Sequence, residues 1–325
     1  MPTQTPPVPF AIRLVPPVVA AVVAVLISTA LPLLGPLLIA LITGALLANS
    51  RWGNIRALQG HTSLTKLLLR LGVVLLGLRL PFGDIVGVGA AGLVVIAATV
   101  AATYGATIAI GSRLNLDRRF VTLLAAGFSI CGAAAIAAID DAVRAKEKDV
   151  ALAVALVTLF GSAMIAIVPW TASVLGLTDD QAAVWAGASI HEVAQVVAAA
   201  SIVGTGAIAI ATTIKLGRVM LLAPVYALAA RGSQREDGAR LPLVPWFVIG
   251  FGLTVAIRSA GVLPETALDL AEHATTLLLA AGMFGLGLGF RIRELWPVPW
   301  PALALACAST AVAATTSLVL VVVLL

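Results

Sequence analysis

Gly187-Ala-Ser-Ile-His-Glu-Val-Ala-Gln195 sets a serine, a histidine, a carboxylate and an amide inside an otherwise apolar stretch. An ionisable side chain at the centre of a bilayer costs about 2.5–3.5 kcal/mol on insertion scales, so such groups face a cavity or a partner rather than lipid. The rest of the chain shows that a bilayer is the relevant solvent. Of 325 residues, 61% are hydrophobic and 11% charged, whereas a soluble domain carries about 25% charged residues. Apolar runs of about 20 residues, enough to cross about 30 Å of hydrocarbon, recur almost to the C-terminus. Open sheets and loops cannot face lipid unsatisfied. The chain therefore reads as an all-α polytopic membrane protein, a single integral domain over 1–325.

Nine segments read as spanning helices: 12–32, 33–49, 66–82, 86–111, 149–173, 207–230, 243–260, 274–290 and 299–323. Residues 1–11 form a proline-rich tail without the basic region of a secretory signal, so the first apolar run reads as a retained helix. Residues 12–65 hold a helix pair and a loop, and 66–325 form the core. Two further segments, 119–140 and 181–204, are apolar but interrupted at their centres by Gly, Ser and polar residues.

Basic residues fall in four connections: Arg51, Arg56 and Lys66; Arg113, Arg118 and Arg119; Arg231, Arg235 and Arg240; Arg291 and Arg293. The positive-inside bias places these in the cytoplasm, so the net charge of +5 reports orientation and does not point to nucleic acid. Asp179 and Asp180, like Glu265, Asp269 and Glu272, lie in stretches without basic residues and read as external. The N-terminus is then cytoplasmic and the C-terminus external.

This charge map creates a counting conflict. If 112–119 is inside and 174–181 outside, an odd number of crossings must separate them, yet two apolar segments lie between. The conflict disappears if 119–140 dips in and returns to the cytoplasm, and 181–204 does the same from outside. Each would then be two half-helices meeting at a polar tip, Ser129-Ile-Cys-Gly132 and Ser189-Ile-His-Glu192. In the alternative, both segments span fully and Arg144, Lys146 and Lys148 lie outside.

Two pairs of segments resemble each other. Gly72-Val-Val-Leu-Leu-Gly-Leu78 matches Gly282-Met-Phe-Gly-Leu-Gly-Leu288, and Gly127-Phe-Ser-Ile-Cys-Gly-Ala-Ala134 matches Gly187-Ala-Ser-Ile-His-Glu-Val-Ala194. Opposite orientations within each pair, together with broken polar segments, predict the inverted-repeat architecture of a secondary transporter. Chance likeness among Gly/Ala/Leu-rich helices is the competing explanation.

The candidate substrate site comprises Ser129, Cys131, Gly132, Ser189, Gln195, Lys215 and Arg218. Ser129 and Ser189 stand where a half-helix is expected to begin. A helix N-terminus offers free N–H groups and partial positive charge to a small oxyanion. Alternatively, both serines bond back to a carbonyl of their own helix. Lys215 and Arg218 share one helix face at i, i+3 spacing, suited to an anion pathway; they could equally reach for headgroups or neutralise Glu192 and Asp140. Candidate proton-coupling groups are His191, Glu192 and Asp140, since a histidine and a carboxylate in low dielectric exchange protons near neutral pH. A structural His191–Glu192 pair that pins the tip is the alternative. Gly132, Gly161, Gly217 and Gly252 read as close-packing positions.

No enzyme, metal or cofactor is expected. His191-Glu-Val-Ala-Gln195 places Gln where a zinc helix of the H-E-x-x-H type needs its second His. The three histidines, His61, His191 and His273, fall in different parts of the fold, and Cys131 and Cys307 read as unpaired thiols. Partners are a small inorganic or sulfur-containing anion, protons or Na⁺ as coupling ion, and the bilayer, with a homodimer left open. A cation- or carboxylate-coupled carrier and a passive anion channel remain alternatives.

A family resemblance rests on ordered blocks. They are Arg70-Leu-Gly-Val-Val-Leu-Leu-Gly-Leu78, Leu114-Asn-Leu-Asp-Arg-Arg119, Ser129-Ile-Cys-Gly-Ala-Ala-Ala-Ile-Ala-Ala138 and Ala145-Lys-Glu-Lys148, followed by Thr158-Leu-Phe-Gly161, Trp185-Ala-Gly-Ala-Ser-Ile-His-Glu-Val-Ala-Gln-Val-Val-Ala198, Lys215-Leu-Gly-Arg-Val-Met-Leu-Leu-Ala-Pro224 and Pro245-Trp-Phe-Val-Ile-Gly250. Together they resemble the YeiH family of bacterial inner-membrane proteins, which carries the label of sulfate exporter. The resemblance covers most of the chain from about residue 66 and is weaker before it. It implies export of sulfate or a related sulfur oxyanion, and a distant kinship with cation/proton antiporter and bile-acid-transporter folds. Glu192 stands where the family has Asp as often as Glu, which keeps the carboxylate.

Overall fold

The computed structural model describes residues 10–30, 35–51, 55, 58, 62–204, 206–231, 244–291, 293 and 298–325. Arg56, His61, Arg235 and Arg240, read above as loop residues, and most of the N-terminal tail lie outside them. Every regular element among the described residues is helical. Six helices are long and apolar enough to cross a membrane, and the helical repeat of 1.5 Å per residue shows why the expected count of nine is not reached on length alone. The expected spans at 33–49, 66–82 and 243–260 contain only α2 (Pro36–Ala48), α3 (Thr62–Leu76, tightened into a 3-10 turn at Gly77–Arg79) and α13 (Trp246–Ser259). The expected span at 207–230 is α11 (Ala207–Met220) followed after Leu221 by α12 (Leu222–Arg231). The span expected at 274–290 begins earlier, in α14 (Glu265–Leu288), so its acidic residues lie on the helix rather than in a loop.

One group of helices is built around α14, which packs on α1 (Phe10–Ala30), α2 and α3. Glycines set these approaches: a Cβ on Gly44 would lie 2.3 Å from Phe284 O, and one on Gly287 would lie 2.3 Å from Leu41 O. Such bare backbone contacts replace the hydrophobic drive that helix pairs lack in lipid. Gly72 receives Leu279 while Gly282 receives Leu69. The two matched glycine runs thus pack directly on one another, antiparallel.

The second group contains α5 (Gly89–Arg113), α6 (Arg118–Ser129), α7 (Ala133–Val143), α8 (Glu147–Leu175), α9 (Asp179–Ser189), α10 (Val193–Val203), α11 and α15 (Trp300–Leu324). The short α4 (Phe82–Gly87) joins the groups. Asp117 caps α6 by accepting from the N–H groups of Arg119 and Phe120. The chain breaks at Ile130–Gly132 and returns as α7. Arg119 Nη1, at the start of α6, donates to Arg144 O just past the end of α7 (3.0 Å), and a Cβ on Gly127 would meet Ile136 at 2.8 Å. These contacts pair residues equidistant from the break, so α6–α7 is a hairpin.

The α9–α10 segment folds the same way. A Thr178–Gln181 capping box starts α9, the chain turns at Ile190–Glu192, and a Cβ on Gly204 at the far end would lie 3.6 Å from Asp179. Both interrupted segments therefore return to the end from which they came, and neither is a continuous helix. The α8 helix, 29 residues and so about 43 Å long, joins the base of one hairpin to the base of the other. The hairpins consequently enter from opposite ends, and their tips meet beside the middle of α8.

Candidate functional site at the meeting of two hairpin tips

Ser129 and Ser189 are the last residues of α6 and α9, which corrects their assignment to helix starts. The chain reaches each tip as a C-terminus and leaves it as an N-terminus, and the serines precede the break. Their hydroxyls bond back within their own helices, Ser189 Oγ to Trp185 O (2.7 Å) and Ser129 Oγ to Ala126 O (3.4 Å). What the ends of the two helices present to the tip is carbonyl oxygen, from Phe128, Ser129 and Ile130 in one hairpin and Ala188 and Ile190 in the other.

Lys215 and Arg218, one turn apart on α11 and both fully buried, hold those carbonyls. Arg218 Nε and Nη2 donate to Ser129 O (2.9 and 2.7 Å), Nη2 also to Phe128 O (2.8 Å), and Nη1 to Ala188 O (2.5 Å) and Ile190 O (3.2 Å). Lys215 Nζ donates to Ile130 O and Ile190 O, each at 2.7 Å. A helix C-terminus carries about half a unit of negative charge. Two such ends, one from each hairpin, thus share two cations. Among the described residues neither cation forms an ion pair with Glu192 or Asp140.

The starts of α7 and α10 are also at the tips, and a single carboxylate serves both. Glu192 Oε1 accepts from Ala133 N, the first residue of α7 (3.3 Å), and from Thr158 Oγ1 on α8 (3.4 Å). The Glu192 side chain also caps its own helix in a reciprocal box with Gln195, whose Oε1 accepts from Glu192 N (3.2 Å). Gln195 Nε2 then donates to Thr158 O (3.1 Å) and Ser162 Oγ (3.3 Å), tying the second tip to α8. Gly161 admits this amide: a Cβ there would lie 2.1 Å from Gln195 Oε1. Gly132 has φ 77° and ψ −131°, a conformation essentially restricted to glycine, and a Cβ on it would lie 2.4 Å from Glu192 Cγ. Gly217 packs against Ile96, whereas Gly252 faces open space, against its close-packing assignment.

His191 and Glu192 are turned to different helices. His191 Nε2 lies 3.1 Å from Thr310 Oγ1 on α15, its ring stands edge-on to Phe128 at 4.7 Å, and its buried Nδ1 has no hydrogen-bond partner among the described residues. Cys131 is a buried free thiol at the first tip. Asp140 does not belong to this cluster. It lies about 12 Å along α7 from the tip, where it accepts from Lys66 Nζ (2.7 Å) and Ala145 N (3.0 Å), and neighbouring Asp141 pairs with Lys66 and Arg70. The tips thus bring together Ser129, Cys131, Gly132, Ser189, His191, Glu192, Gln195, Lys215 and Arg218, with Asp140 left at the hairpin base. Thr158, Ser162 and Thr310 join them without having been singled out, although hydroxyls midway along apolar helices are a readable signal. An apolar groove of about 650 Å³ lined by Phe82, Met220 and Phe251 holds none of these residues.

Residues 13–306 match the family model described as conserved hypothetical protein 698. The chain is similar to a UPF0324 membrane protein of Corynebacterium glutamicum, 42% identical over 85% of this chain and 82% of that protein. UPF0324 membrane proteins of Pseudomonas aeruginosa (38% identical; 80% and 78% covered) and Bacillus cereus (33%; 81% and 76%) are similar as well. No solved structure matches. With the family model and these relatives covering most of its length, the chain belongs to the UPF0324 family of membrane proteins, which is the YeiH family of the sequence blocks.

Proposed function

We propose that this protein is a secondary active transporter of a small sulfur oxyanion, with sulfate as the leading substrate and protons as the coupling ion. The observation that carries this reading is the pair of hairpins that enter from opposite ends of α8 and meet tip to tip with buried charges of both signs. Half-helix ends gathered at mid-depth are how inverted-repeat transporters build ion sites. Basic Arg118, Arg119, Arg144 and Lys146 surround the base of the first hairpin, and Asp179 and Asp180 the base of the second. The positive-inside bias then gives a cytoplasmic first base and an external second base in a bacterial inner membrane, with the N-terminus inside and the C-terminus outside.

In this reading the two helix starts at Ala133 and Val193 form the anion site, and Glu192 is its tethered occupant. An oxyanion can take its place only when Glu192 withdraws, and protonation removes the charge that holds it there. Anion and proton are thereby bound together. Lys215 already sits between the Ile130 and Ile190 carbonyls, the position a sodium ion would need, which favours protons over Na⁺. The α1–α3, α13 and α14 group is the body against which the hairpin group shifts.

The test is counterflow of labelled sulfate in liposomes carrying the purified protein, at two pH values, beside melting shifts with sulfate, sulfite and thiosulfate. Counterflow with faster exchange at the lower pH is expected. Flux without counterflow would make the protein a channel, and absence of both flux and melting shifts would refute the anion reading.

A further inference from the structure

Thr99, Thr103 and Thr107 recur every four residues along α5 and therefore share one stripe of that helix. All three are fully buried. In an apolar helix a threonine commonly returns its hydroxyl to the carbonyl four residues back. Thr107 does so, at 2.7 Å from Thr103 O, and also meets Ser309 Oγ on α15 at 2.8 Å. Thr99 and Thr103 do not: each Oγ1 is buried without a partner among the described residues. An unsatisfied buried hydroxyl costs about 1–3 kcal/mol, so two in one stripe call for a polar occupant.

The helix opposite supplies the other wall. Thr310 of α15 meets His191 at the second tip, while Ala314 O accepts from Trp185 Nε1, further down α9 towards the hairpin base (2.9 Å). So α15 runs towards the base of the second hairpin and α5 runs towards the base of the first; the two helices are antiparallel. The Thr107–Ser309 contact then sets Ala313 level with Thr103 and Ser317 level with Thr99, with Thr310 next to Ser309 and turned to His191. Small Ala306 and Ala313 lie on the same buried side of α15.

We propose that a short file of water molecules fills this α5–α15 seam, held by Thr99, Thr103 and Thr310, and that protons reach His191 along it. Hydroxyl groups both donate and accept, and an internal water is retained where about three polar partners surround it. The seam extends about 12 Å from Thr99 to Thr107 and touches His191 through Thr310. Charged groups near the imidazole come from α11, as Lys215 and Arg218, and from the adjacent Glu192. Among the described residues, α6 meets the ring with Phe128 and α15 with Thr310. Since Glu192 bonds towards α8 and His191 towards α15, the water file is separate from the proposed anion site, and it does not require that the chain carry an anion.

The chain has three histidines, so protein labelled with ¹⁵N-histidine in lipid bilayers gives three imidazole signals, and His191→Gln identifies one of them. Solid-state NMR then measures how fast polarisation passes from mobile water to each ring. The expected result is efficient transfer to His191, slowed several-fold when Thr99 and Thr103 are both changed to Val and restored by Thr103→Ser in the Thr99→Val background. His61 and His273 should be unaffected. A His191 ring that receives nothing from water, or a transfer rate unchanged in the folded double-Val variant, would overturn the proposal. If the double variant melts far below the wild type, the single Thr103→Val variant decides by the same comparison.

Discussion

Replacing Arg218 by Lys keeps a cation at the hairpin tips and removes donors, which makes it a sharp test of how the tips are held. Arginine has five N–H donors, and all five are in use, spread over the carbonyls of Phe128, Ser129, Ala188 and Ile190. A lysine ammonium has three donors and no planar fork, so at least two of the five bonds are lost. Ile190 O keeps Lys215 as a second donor; Phe128, Ser129 and Ala188 depend on Arg218. Hydrogen bonds to a charged group are worth about 1.5–3 kcal/mol each, so losing two costs about 3–6 kcal/mol. Reversible unfolding in mixed detergent micelles, followed by tryptophan fluorescence, measures the loss. Arg113→Lys, at the exposed end of α5, is the control and should change stability by less than about 0.5 kcal/mol. If Arg218→Lys lies within about 1 kcal/mol of the wild type, less than one such bond, the five-donor clamp is not what joins the tips.

Gly132→Ala must adopt a positive φ and push Glu192 off Ala133 N–H, costing about 1–3 kcal/mol in backbone strain alone; an unchanged melting temperature would contradict the tip geometry. In the wild type, anion affinity should rise as pH falls, because the ionised Glu192 competes for the same N–H groups. Glu192→Gln should flatten that dependence in calorimetry, and a wild-type pH profile in the variant would rule Glu192 out as the coupled carboxyl. Asp141→Ala leaves Lys66 with Asp140 alone and Arg70 without its carboxylate, and partly exposed pairs of this kind contribute about 0–1 kcal/mol each. Its expected signature is faster hydrogen exchange at 140–148 with little change in melting; unaltered exchange would show that the pairs do not clasp the hairpin base to α3.

The physics of the bilayer made much of this fold legible. Interruptions at Ser129–Gly132 and Ser189–Glu192 stood out because a helix in lipid otherwise has no reason to carry them. The requirement for an odd number of crossings between basic and acidic connections points to hairpins from charge alone. Chain polarity at each tip was harder, since a Gly/Ser/Cys interruption does not show whether serine ends one helix or begins the next. One signal did carry it. Glu192 and Gln195 stand at capping-box spacing, which starts α10 at Val193 and leaves Ser189 at the end of α9. The shared face of Lys215 and Arg218 followed from i, i+3 spacing, but their acceptors did not, because backbone carbonyls leave no mark in sequence. Asp140 looked close to the tip only along the chain; a rise of 1.5 Å per residue carries it down to the hairpin base.

The charges at the tips bear on which anion fits. Two helix C-termini and two N-termini meet there, and half-unit dipole charges of opposite sign largely cancel among four ends. What remains is set by side chains. Lys215 donates to carbonyls at two C-terminal ends; counted as an ammonium beside Arg218, a cation throughout, it makes two positive charges. Against them stands one carboxylate, Glu192. With Glu192 ionised the cluster keeps one unit of positive charge; with Glu192 protonated it keeps two, and the two N-terminal ends lose their occupant in the same step. A buried cluster of two uncompensated cations is costly unless an anion of matching charge enters. In the proposed mechanism a doubly charged oxyanion and one proton therefore neutralise the site together, whereas a singly charged anion leaves the one unit of positive charge that the site already carries with Glu192 ionised. On that count a sulfate-like dianion is the substrate to try first in the counterflow assay, because it alone brings the proposed site to neutrality.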